Sequence, residues 1–275
     1  MTSDDETFDR LLDYVETDLG FATSYYDDSY LDRRVSSRIR RTDAEGYGEY
    51  LDLLEDDESE QGALLDAFSV NVTSFFRNPE VWEEIRSVLH TLSTERDRLR
   101  LWSAACSDGR EPYSLSMLAL DDPEVDDASI EITATDIDEE ILAAARRGVY
   151  ENTRTTDIGE QLAPLDEYER YVERDGDRFA VADAVKELVS FERHDLINGD
   201  PKTDFDLVVC RNLFIYIDAE HKFPILETVS KSLAEGGYLV IGKTETLPDA
   251  LKPAFEPIAR RLRIYRKSDS TSVRQ

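Results

Sequence analysis

The stretch Ile130-Glu131-Ile132-Thr133-Ala134-Thr135-Asp136-Ile137-Asp138 is a β-rich run that ends in two acidic residues. Similar runs recur along the chain from Leu99 onward, and helical stretches separate them. The β-rich runs lie at 99–104, 130–135, 205–210 and 238–242, and the helical stretches lie at 112–120, 139–147 and 220–234. This alternation predicts an α/β fold with a mostly parallel sheet and helices on both faces.

The region before Leu99 follows a different pattern. Up to about residue 93, apolar residues recur at spacings of three and four, and no strand stands out, which indicates helices. Within the later region, a segment rich in charge and tyrosine interrupts the alternation and predicts a small inserted subdomain. We therefore expect a helical domain over 1–77, a linker helix over 78–98, and a sheet domain over 99–275 with an insertion at about 150–189.

The chain of 275 residues carries 32 Lys and Arg against 61 Asp and Glu, a formal net charge of -29. Acidity of this size repels phosphate backbones and anionic membrane surfaces, which counts against nucleic acid as a partner. Because 40% of the residues are hydrophobic, the charge indicates a solvated surface rather than disorder. We expect a halophilic source, since the Debye length falls to about 3 Å at 1 M salt and self-repulsion is then screened.

Cys106 and Cys210 are the only cysteines. Two isolated thiols make neither a disulfide framework nor a zinc site, so both are expected to be buried apolar residues. The sequence has no basic segment followed by an apolar core at its start, and no uncharged apolar run approaches bilayer-spanning length. These features predict a cytoplasmic protein that does not insert into a membrane.

Ligands of open parallel sheets bind beyond the carboxyl ends of the strands, near the switch in strand order. After the first predicted strand, the stretch 102–113 contains small residues and Gly109, which allow the backbone to approach a ligand closely. It has neither a G-x-G-x-x-G nor a G-x-x-x-x-G-K-[ST] motif, so it is not built for a di- or triphosphate. A purely structural turn is the alternative interpretation.

Asp136 ends the second predicted strand, and a carboxylate there can accept both ribose hydroxyls of an adenosyl cofactor. Asp138 fits a helix N-cap better than a ligand. A magnesium site on this pair is disfavoured, because no further carboxylates are suitably placed. In the stretch 191–196, which follows a further short strand, Asp195 could accept an adenine amino group, whereas we interpret His194 as an ordinary exposed or packed histidine.

Arg211 and Asn212 follow the apolar run that ends at Cys210, beside the aromatic residues Phe214 and Tyr216. A cation and an amide directly after a buried strand predict a polar cluster at the mouth of a site. In so acidic a chain, an ordinary ion pair of Arg211 is the alternative.

Taken together, these stretches resemble the CheR family of chemotaxis receptor methyltransferases, from Phe8 to Lys267. The most specific stretch is Val70-Asn71-Val72-Thr73-Ser74-Phe75-Phe76-Arg77, which is similar to the family's N-x-T-x-F-F-R signature. Four further motifs follow in the same order as in the family, and this order makes the resemblance specific. They are Trp102-Ser103-Ala104-Ala105 with Glu111-Pro112-Tyr113-Ser114, then Ala134 to Asp138, Cys210-Arg211-Asn212 with Tyr216, and Gly236-Gly237-Tyr238 to Glu245.

The resemblance implies a Rossmann-like class I S-adenosylmethionine methyltransferase sheet behind a small all-helical domain. By the same resemblance, the cofactor contacts would be Asn71, Thr73, Arg77, Glu111, Asp136, Asp195, Leu196, Arg211 and Asn212. Catalytic roles would fall to Arg77 and Arg211, which orient carboxylates, and to Tyr216, which lines the methyl channel. Two departures are Arg110, where the family commonly has a second glutamate, and Gly242-Lys243-Thr244-Glu245, where it has a G-H-S-E-type segment.

The implied reaction transfers a methyl group from S-adenosylmethionine to glutamate carboxylates of chemotaxis receptors, giving methyl esters and S-adenosylhomocysteine, in adaptation of chemotaxis signalling. A glutamate with a pKa of about 4.3 is already ionised near neutrality, so neither a general base nor a metal is expected. The partner would be the cytoplasmic helical domain of a methyl-accepting receptor, and the enzyme a monomer.

An arginine-rich helical stretch, 31–41, is the candidate docking surface for such an acidic partner. Its candidate docking residues are Arg33, Arg34, Arg38 and Arg41. Arg34, Arg38 and Arg41 are expected on one helical face. A solvated charged face without function is the alternative.

Three other functions compete with this interpretation. A methyltransferase for a small acid or a nucleic acid is the nearest, although the net charge and the absence of an N-P-P-Y-type motif count against nucleic acid. A dehydrogenase is disfavoured without the glycine fingerprint. A non-catalytic S-adenosylmethionine sensor stays open because of Arg110 and Lys243.

Overall fold

The computed structural model describes residues 3–68 and 73–268. The chain forms two compact units, one of Met1–Asn71 with Phe214–Lys222 and one of Val72–Leu213 with Phe223–Gln275. These units differ from the predicted bounds because the first takes up the segment Phe214–Lys222 from within the predicted sheet domain. The second unit also includes the residues around Arg77, which the sequence pattern groups with the helical domain.

Four helices make up most of the first unit: α1 Ser3–Thr17, α2 Asp28–Ile39, α3 Tyr47–Asp56 and α4 Glu58–Phe68. Their core contains the fully buried side chains Leu11, Leu31, Val35 and Leu54. The segment Phe214–Lys222 joins this unit through an antiparallel bridge between Tyr26 and Ile217. Helical periodicity before residue 69 therefore reflects a real helical core, as predicted.

A polar network lies inside the first unit. Arg38 donates from Nε and Nη2 to the two carboxylate oxygens of Glu60, over 2.9 and 2.5 Å. The hydroxyl of Tyr50 donates to Glu60 Oε1 over 2.5 Å. Burial opposes ionisation of Glu60, but the hydrogen bonds from Arg38 and Tyr50 outweigh it and lower the pKa of that carboxyl. The network ties α2, α3 and α4 together.

The second unit begins with helix α5 and continues as alternating strands and helices. The helices are α5 Pro79–Glu95, α6 Arg110–Asp121, α7 Glu139–Arg147, α8 Ile158–Gln161, α9 Asp183–Glu187 and α10 Ala219–Ser232. The first residues of α10, up to Lys222, are grouped with the first unit. The strands are β1 Leu99–Ala104, β2 Ile130–Asp136, β3 Val149–Glu151, β4 Val172–Asp175, β5 Arg178–Val181, β6 Val189–Arg193, β7 Phe205–Cys210, β8 Leu233–Ile241, β9 Phe255–Ala259 and β10 Ile264–Lys267. The predicted strands and helices of this region are found within a few residues of their expected bounds.

A seven-stranded sheet forms the centre of this unit, in the order β6-β2-β1-β7-β8-β10-β9. The pairs from β6 to β8 are parallel, whereas β10 runs antiparallel to β8 and β9. Every residue of β7 is buried, as expected of a parallel strand with both faces covered. The core includes Trp82 and Ile85 of α5 and Leu115 of α6. The mostly parallel α/β sheet is thus confirmed.

The predicted insertion contains a second, antiparallel sheet in the order β3-β5-β4. A two-residue turn, Gly176-Asp177, joins β4 to β5, and Gly176 has a φ of 61°. Glycine adopts this left-handed conformation without the steric cost of a side chain. The composition of the segment did not indicate strands, because its many charged residues lie on the exposed faces of short strands.

Cys106 and Cys210 are both free and buried, as the sequence predicts. Burial raises the pKa of both thiols well above their usual value, so neither is a ready thiolate. Within the described ranges 3–68 and 73–268, no helix is both long enough and apolar enough to span a membrane.

Replacing Arg38 with alanine should loosen the helical unit, because Glu60 would keep a buried charge without its partner. We expect the exchange protection of amides in α2 and α4 to fall about 100-fold, equivalent to roughly 3 kcal/mol. Hydrogen–deuterium exchange mass spectrometry measures this. Arg33→Ala, at an exposed position of the same helix, is the matched control, and an equal loss of protection in both variants would contradict the structural role of Arg38.

Candidate active site

Four parallel strands, β6, β2, β1 and β7, end side by side at one edge of the central sheet. The chain runs outward from β1 through β2 to β6, and then returns to the other side of β1 as β7. The strand order therefore reverses between β1 and β7, which is where ligands bind in open parallel sheets. The predicted site residues Glu111, Asp136, Asp195 and Arg211 all follow these strands.

The loop after β1 has an unusual backbone. Ala105 and Ser107 have φ values of 56° and 51°, and Gly109 has a φ of 90°. A Cβ atom on Gly109 would lie 3.0 Å from the Cβ of Ala145, so only glycine fits there without displacing α7. Non-glycine residues in the left-handed region are strained, and such strain concentrates at functional sites. The sequence indicated a close approach at Gly109, but not the strain at Ala105 and Ser107 before it.

Asp136 anchors this loop. Its Oδ2 accepts a hydrogen bond from the backbone N–H of Ser107 over 2.8 Å, and its Oδ1 accepts one from the N–H of Asp138 over 3.2 Å. Burial raises the pKa of Asp136. Each carboxylate oxygen has a second lone pair, so ribose hydroxyls could still donate to it. Asp138 accepts from Glu140 N and Ile141 N and caps α7, which confirms its prediction as an N-cap.

Arg211 follows β7, and only 1% of its side chain is exposed. Its Nη2 donates to the carbonyl oxygen of Arg77 over 2.9 Å and to Oδ1 of Asn78 over 3.0 Å. Its Nη1 lies 3.5 Å from Oε2 of Glu111. Within the described part of the chain, neither its Nε nor its Nη1 has a hydrogen-bond partner, although both are buried. Such donors fit a bound carboxylate, since buried polar groups left unpaired are costly.

Glu111 lies on the first turn of α6, where its Oε1 accepts a hydrogen bond from the hydroxyl of Ser103 over 2.9 Å. Burial raises the pKa of Glu111 to about 7, against the opposing effects of Arg211, Ser103 and Arg77. This places the pKa of the carboxyl close to neutrality. A cationic group beside it, such as an amino acid's ammonium, would favour the ionised form.

Glu245 is a site residue that the sequence analysis named only within a family motif. Its side chain is buried, and its Oε2 accepts hydrogen bonds from Gly242 N over 2.6 Å and from Asn212 N over 3.2 Å. Asn212 has a φ of 61°, so the carboxylate holds a strained turn after β7 against the turn after β8. The acidic end of the Gly242-Lys243-Thr244-Glu245 segment was the available signal.

Asp195, just beyond the end of β6, accepts hydrogen bonds from its own turn. Oδ1 of Asp195 accepts from the backbone N–H groups of Ile197 and Asn198 over 2.8 and 3.1 Å. Leu196 beside it is 8% exposed. The ring of His194 packs edge-on against Trp102, with centroids 5.7 Å apart, and burial lowers the pKa of this histidine. His194 is thus a packed histidine, one of the two alternatives that the sequence left open.

The two departures from the family pattern are each paired. Arg110 forms an ion pair with Asp108 at 2.7 Å and donates from Nη1 to the carbonyl oxygen of Thr73 over 2.8 Å. Lys243 forms an ion pair with Glu80. Arg110 therefore connects Thr73, in the signature stretch, to the loop after β1. An ionised glutamate at this position could not make this connection, because it has no hydrogen-bond donor.

Other predicted residues lie elsewhere. Asn71 lies outside the described residues. Tyr216 belongs to the first unit, where its ring lies 5.1 Å from that of Tyr30, and its role in the methyl channel stays a prediction. The core aromatics Phe75 and Phe76 are both 1% exposed, as predicted.

The arginines of the candidate docking stretch are not equivalent. Arg33 and Arg41 are exposed, and the guanidinium of Arg34 lies 5.3 Å above the ring of Tyr30. Arg38 needs correction as a docking residue, because its guanidinium is bound by Glu60 inside the helical unit. Its position on the helical pattern suggested an exposed face, but Glu60 lies 22 residues away in sequence.

The described groups fit an adenosyl amino acid. Asp136 supplies a carboxylate at the end of β2, and Glu111 supplies a carboxyl whose pKa lies near 7. Arg211 supplies two buried donors that have no hydrogen-bond partner in the described part of the chain. Among the residues at 3–68 and 73–268, no three His, Cys, Asp or Glu side chains are grouped as a metal site would require. The expectation that no metal takes part stays a prediction.

The seven-stranded sheet in this strand order is the fold of the class I S-adenosylmethionine-dependent methyltransferases. Comparison with known families agrees: residues 71–263 match the model described as "CheR methyltransferase, SAM binding domain", and residues 6–69 match "CheR methyltransferase, all-alpha domain". The chain belongs to the CheR methyltransferase family. The resemblance seen in the sequence motifs is thereby confirmed across both parts of the chain.

Curated relatives bear related names. A "Chemotaxis protein methyltransferase" of Listeria monocytogenes is 35% identical over 242 residues, covering 87% of this chain and 88% of that protein. A "Probable chemotaxis protein methyltransferase" of Rhizobium etli is 34% identical, covering 89% and 94%. "Chemotaxis protein methyltransferase 1" of Pseudomonas aeruginosa is 36% identical, covering 78% and 81%. The family places this protein among the methyltransferases of chemotaxis.

The raised pKa of Glu111 predicts a specific pH dependence of stability. Between the unfolded value of about 4.5 and about 7, the folded protein binds more protons at this site than the unfolded chain, so its stability falls as pH rises. Relative to Glu111→Gln, the ligand-free wild type should lose roughly 3 kcal/mol between pH 4.5 and pH 8.

Urea unfolding at the two pH values measures this difference, followed by tryptophan fluorescence. Trp82 and Trp102 are the only tryptophans, and both lie in the second unit. Comparison with the variant cancels the general self-repulsion of the acidic chain. A difference that stays constant with pH would contradict the raised pKa of the buried Glu111.

Proposed function

We propose that this protein methylates glutamate side chains of chemotaxis receptors, using S-adenosylmethionine and releasing glutamate methyl esters and S-adenosylhomocysteine, and so serves adaptation of chemotaxis signalling. The observation that carries the proposal is the match of both parts of the chain to the CheR methyltransferase family. The names of the curated relatives support the chemotaxis setting. The carboxyl-edge donors support the handling of carboxylates.

The proposed cofactor contacts follow from the chemistry of each group. Asp136 accepts the ribose hydroxyls, and Asp195 with Leu196 receives the adenine. Glu111 faces the ammonium of the amino acid part, and Arg211, together with Arg77, binds its carboxylate. Thr73, Asn71 and Asn212 complete the set inferred from the family motif.

S-adenosylmethionine supplies an electrophilic methyl group on a positively charged sulfur. The glutamate that receives it is already ionised, so the protein's residues need not remove a proton. Their task is to hold a carboxylate oxygen in line at roughly 3 Å and to exclude water, which makes catalysis a matter of positioning and electrostatics. Arg77 and Arg211 act as the carboxylate-orienting residues in this scheme.

The helical unit would contact the receptor through α2. Arg33 is an exposed cation of α2, with Arg34 beside it, and Arg41 is exposed just beyond the end of the helix. An acidic receptor helix is the complement of these cations. Arg38 supports this surface indirectly by holding α2 to Glu60. We place the protein in the cytoplasm as a monomer, with a net charge that suits a salt-rich cell.

Incubation with methyl-labelled S-adenosylmethionine and a receptor cytoplasmic fragment tests the function. We expect base-labile label on specific glutamates of the fragment, since carboxyl methyl esters hydrolyse readily in base. A fragment with those glutamates changed to alanine should stay unlabelled. Binding of S-adenosylmethionine without transfer to any receptor fragment would refute the proposal and favour a sensor.

Asp136→Asn should weaken S-adenosylmethionine binding by roughly 10- to 100-fold, the usual loss for hydrogen bonds to a charged group. Asp138→Asn is the matched control, because it removes the same charge two residues away while asparagine still caps a helix. Its affinity should stay within about threefold of the wild type. Isothermal titration calorimetry gives both constants, and equal losses in the two variants would rule out a specific ribose contact.

A further inference from the structure

The turn between β9 and β10 is the most basic surface segment of the second unit. From Ile258 to Lys267 the sequence contains four arginines, one lysine and no carboxylate, in a protein with a net charge of -29. Such a local excess stands against the charge of the whole molecule. The surroundings of each cation show which of them are available to a partner.

Three of these cations, Arg263, Arg266 and Lys267, are used within the fold, and the contact of Arg263 is described below. Arg266 forms an ion pair with Glu95 at 2.7 Å and lies 5.3 Å above the ring of Tyr238. Lys267 donates to the carbonyl oxygens of Ser230 and Leu233, each over 2.7 Å. Both contribute to packing at the end of β10.

Arg260 and Arg261, at the turn itself, are different. Both are exposed, and in the described part of the chain no hydrogen bond, ion pair or ring contact involves either one. Ile258, two residues before the turn, is also 43% exposed. The turn thus presents two unpaired guanidinium groups close to an exposed apolar side chain.

The hydrogen bonds around the turn place it at the edge of the sheet where the candidate site lies. Ile241, the last residue of β8, donates from its N–H to the carbonyl oxygen of Arg263 over 3.1 Å. Arg263 Nε donates to the carbonyl oxygen of Lys243 over 3.3 Å. The loop that follows β8 also contains Glu245, whose carboxylate holds the Asn212 turn. A short series of contacts therefore connects the basic turn to the Asn212 turn, next to Arg211 in the sequence.

We propose that the exposed turn Arg260-Arg261, with Ile258, is a docking surface for an acidic helical segment of the protein substrate, which carries carboxylates on either side of the glutamate to be methylated. Arginine binds carboxylates through a planar, two-pronged set of donors and tolerates partial desolvation. The exposed isoleucine suits the apolar stripe of an amphipathic helix. This inference rests on the proposed function, because it assumes an acidic protein substrate.

The double variant Arg260→Glu/Arg261→Glu tests the inference in the full-length protein. We expect a roughly tenfold rise in the KM for a receptor fragment and in its Kd measured by fluorescence anisotropy, with kcat within about twofold. The Kd for S-adenosylmethionine should not change. The effect should shrink as salt is added, because the contact is exposed and electrostatic.

The matched control is Arg98→Glu/Arg147→Glu, which changes the net charge by the same amount. Both arginines are exposed, and Arg98 directly precedes β1, at the opposite edge of the sheet. We expect less than a twofold change in KM and Kd for this variant. Equal effects of the two double variants would show a general charge effect and overturn the docking surface.

Loss of S-adenosylmethionine binding in the Arg260→Glu/Arg261→Glu variant would also overturn the docking surface, since the turn would then belong to the cofactor site. Failure of the proposed function has a different signature. A wild type that binds the fragment without methylating it refutes the function, whereas the Kd of the variants still decides the docking surface. Lysine substitutions at the acidic positions of the fragment should restore tight binding to the Arg260→Glu/Arg261→Glu variant, and no recovery would count against direct contact.

Discussion

The guanidinium of Arg211 is held between the carboxylate of Glu111 on one side and the Arg77 carbonyl and Asn78 side chain on the other. A buried charge of this kind is stable only when hydrogen-bond acceptors and an opposite charge lie next to it. The end of β7, the start of α6 and the turn before α5 must therefore meet at one place. The rest of the site at the carboxyl ends of the strands depends on the contacts of Arg211, because Glu111 follows directly on the loop after β1.

The edge is prepared for a ligand before one binds. Arg211 keeps two buried donors without hydrogen-bond partners among the described residues, and Glu111 has a pKa raised by burial. Around them, Asp136 and Glu245 fix strained turns through backbone N–H groups. Because these groups are already in place, few side chains need to move when charged groups bind. Binding and orienting charged groups is the main requirement of a methyl transfer to a carboxylate.

The cations of this acidic protein separate into those that hold the fold and those left for a partner. Arg38 binds a buried glutamate, and Arg266 pairs with Glu95. Arg260 and Arg261 are exposed and have no such partner in the described ranges. In a protein with so many carboxylates, two exposed arginines without an ion pair among the described residues indicate a local binding surface. The net charge describes only the average surface and does not show this.

The sequence by itself determined the α/β alternation, the strands β1, β2, β7 and β8, the cap at Asp138 and the burial of Phe75 and Phe76. Each of these depends on local periodicity or on contacts within a few residues. Only the tertiary structure decided that Arg38 is an internal residue and that Glu245 joins two strand ends, since their partners lie 22 and 33 residues away. The strain at Ala105 and Ser107 was equally hidden, because it arises when the loop is drawn onto Asp136, and residue type does not encode a conformation imposed by a distant carboxylate.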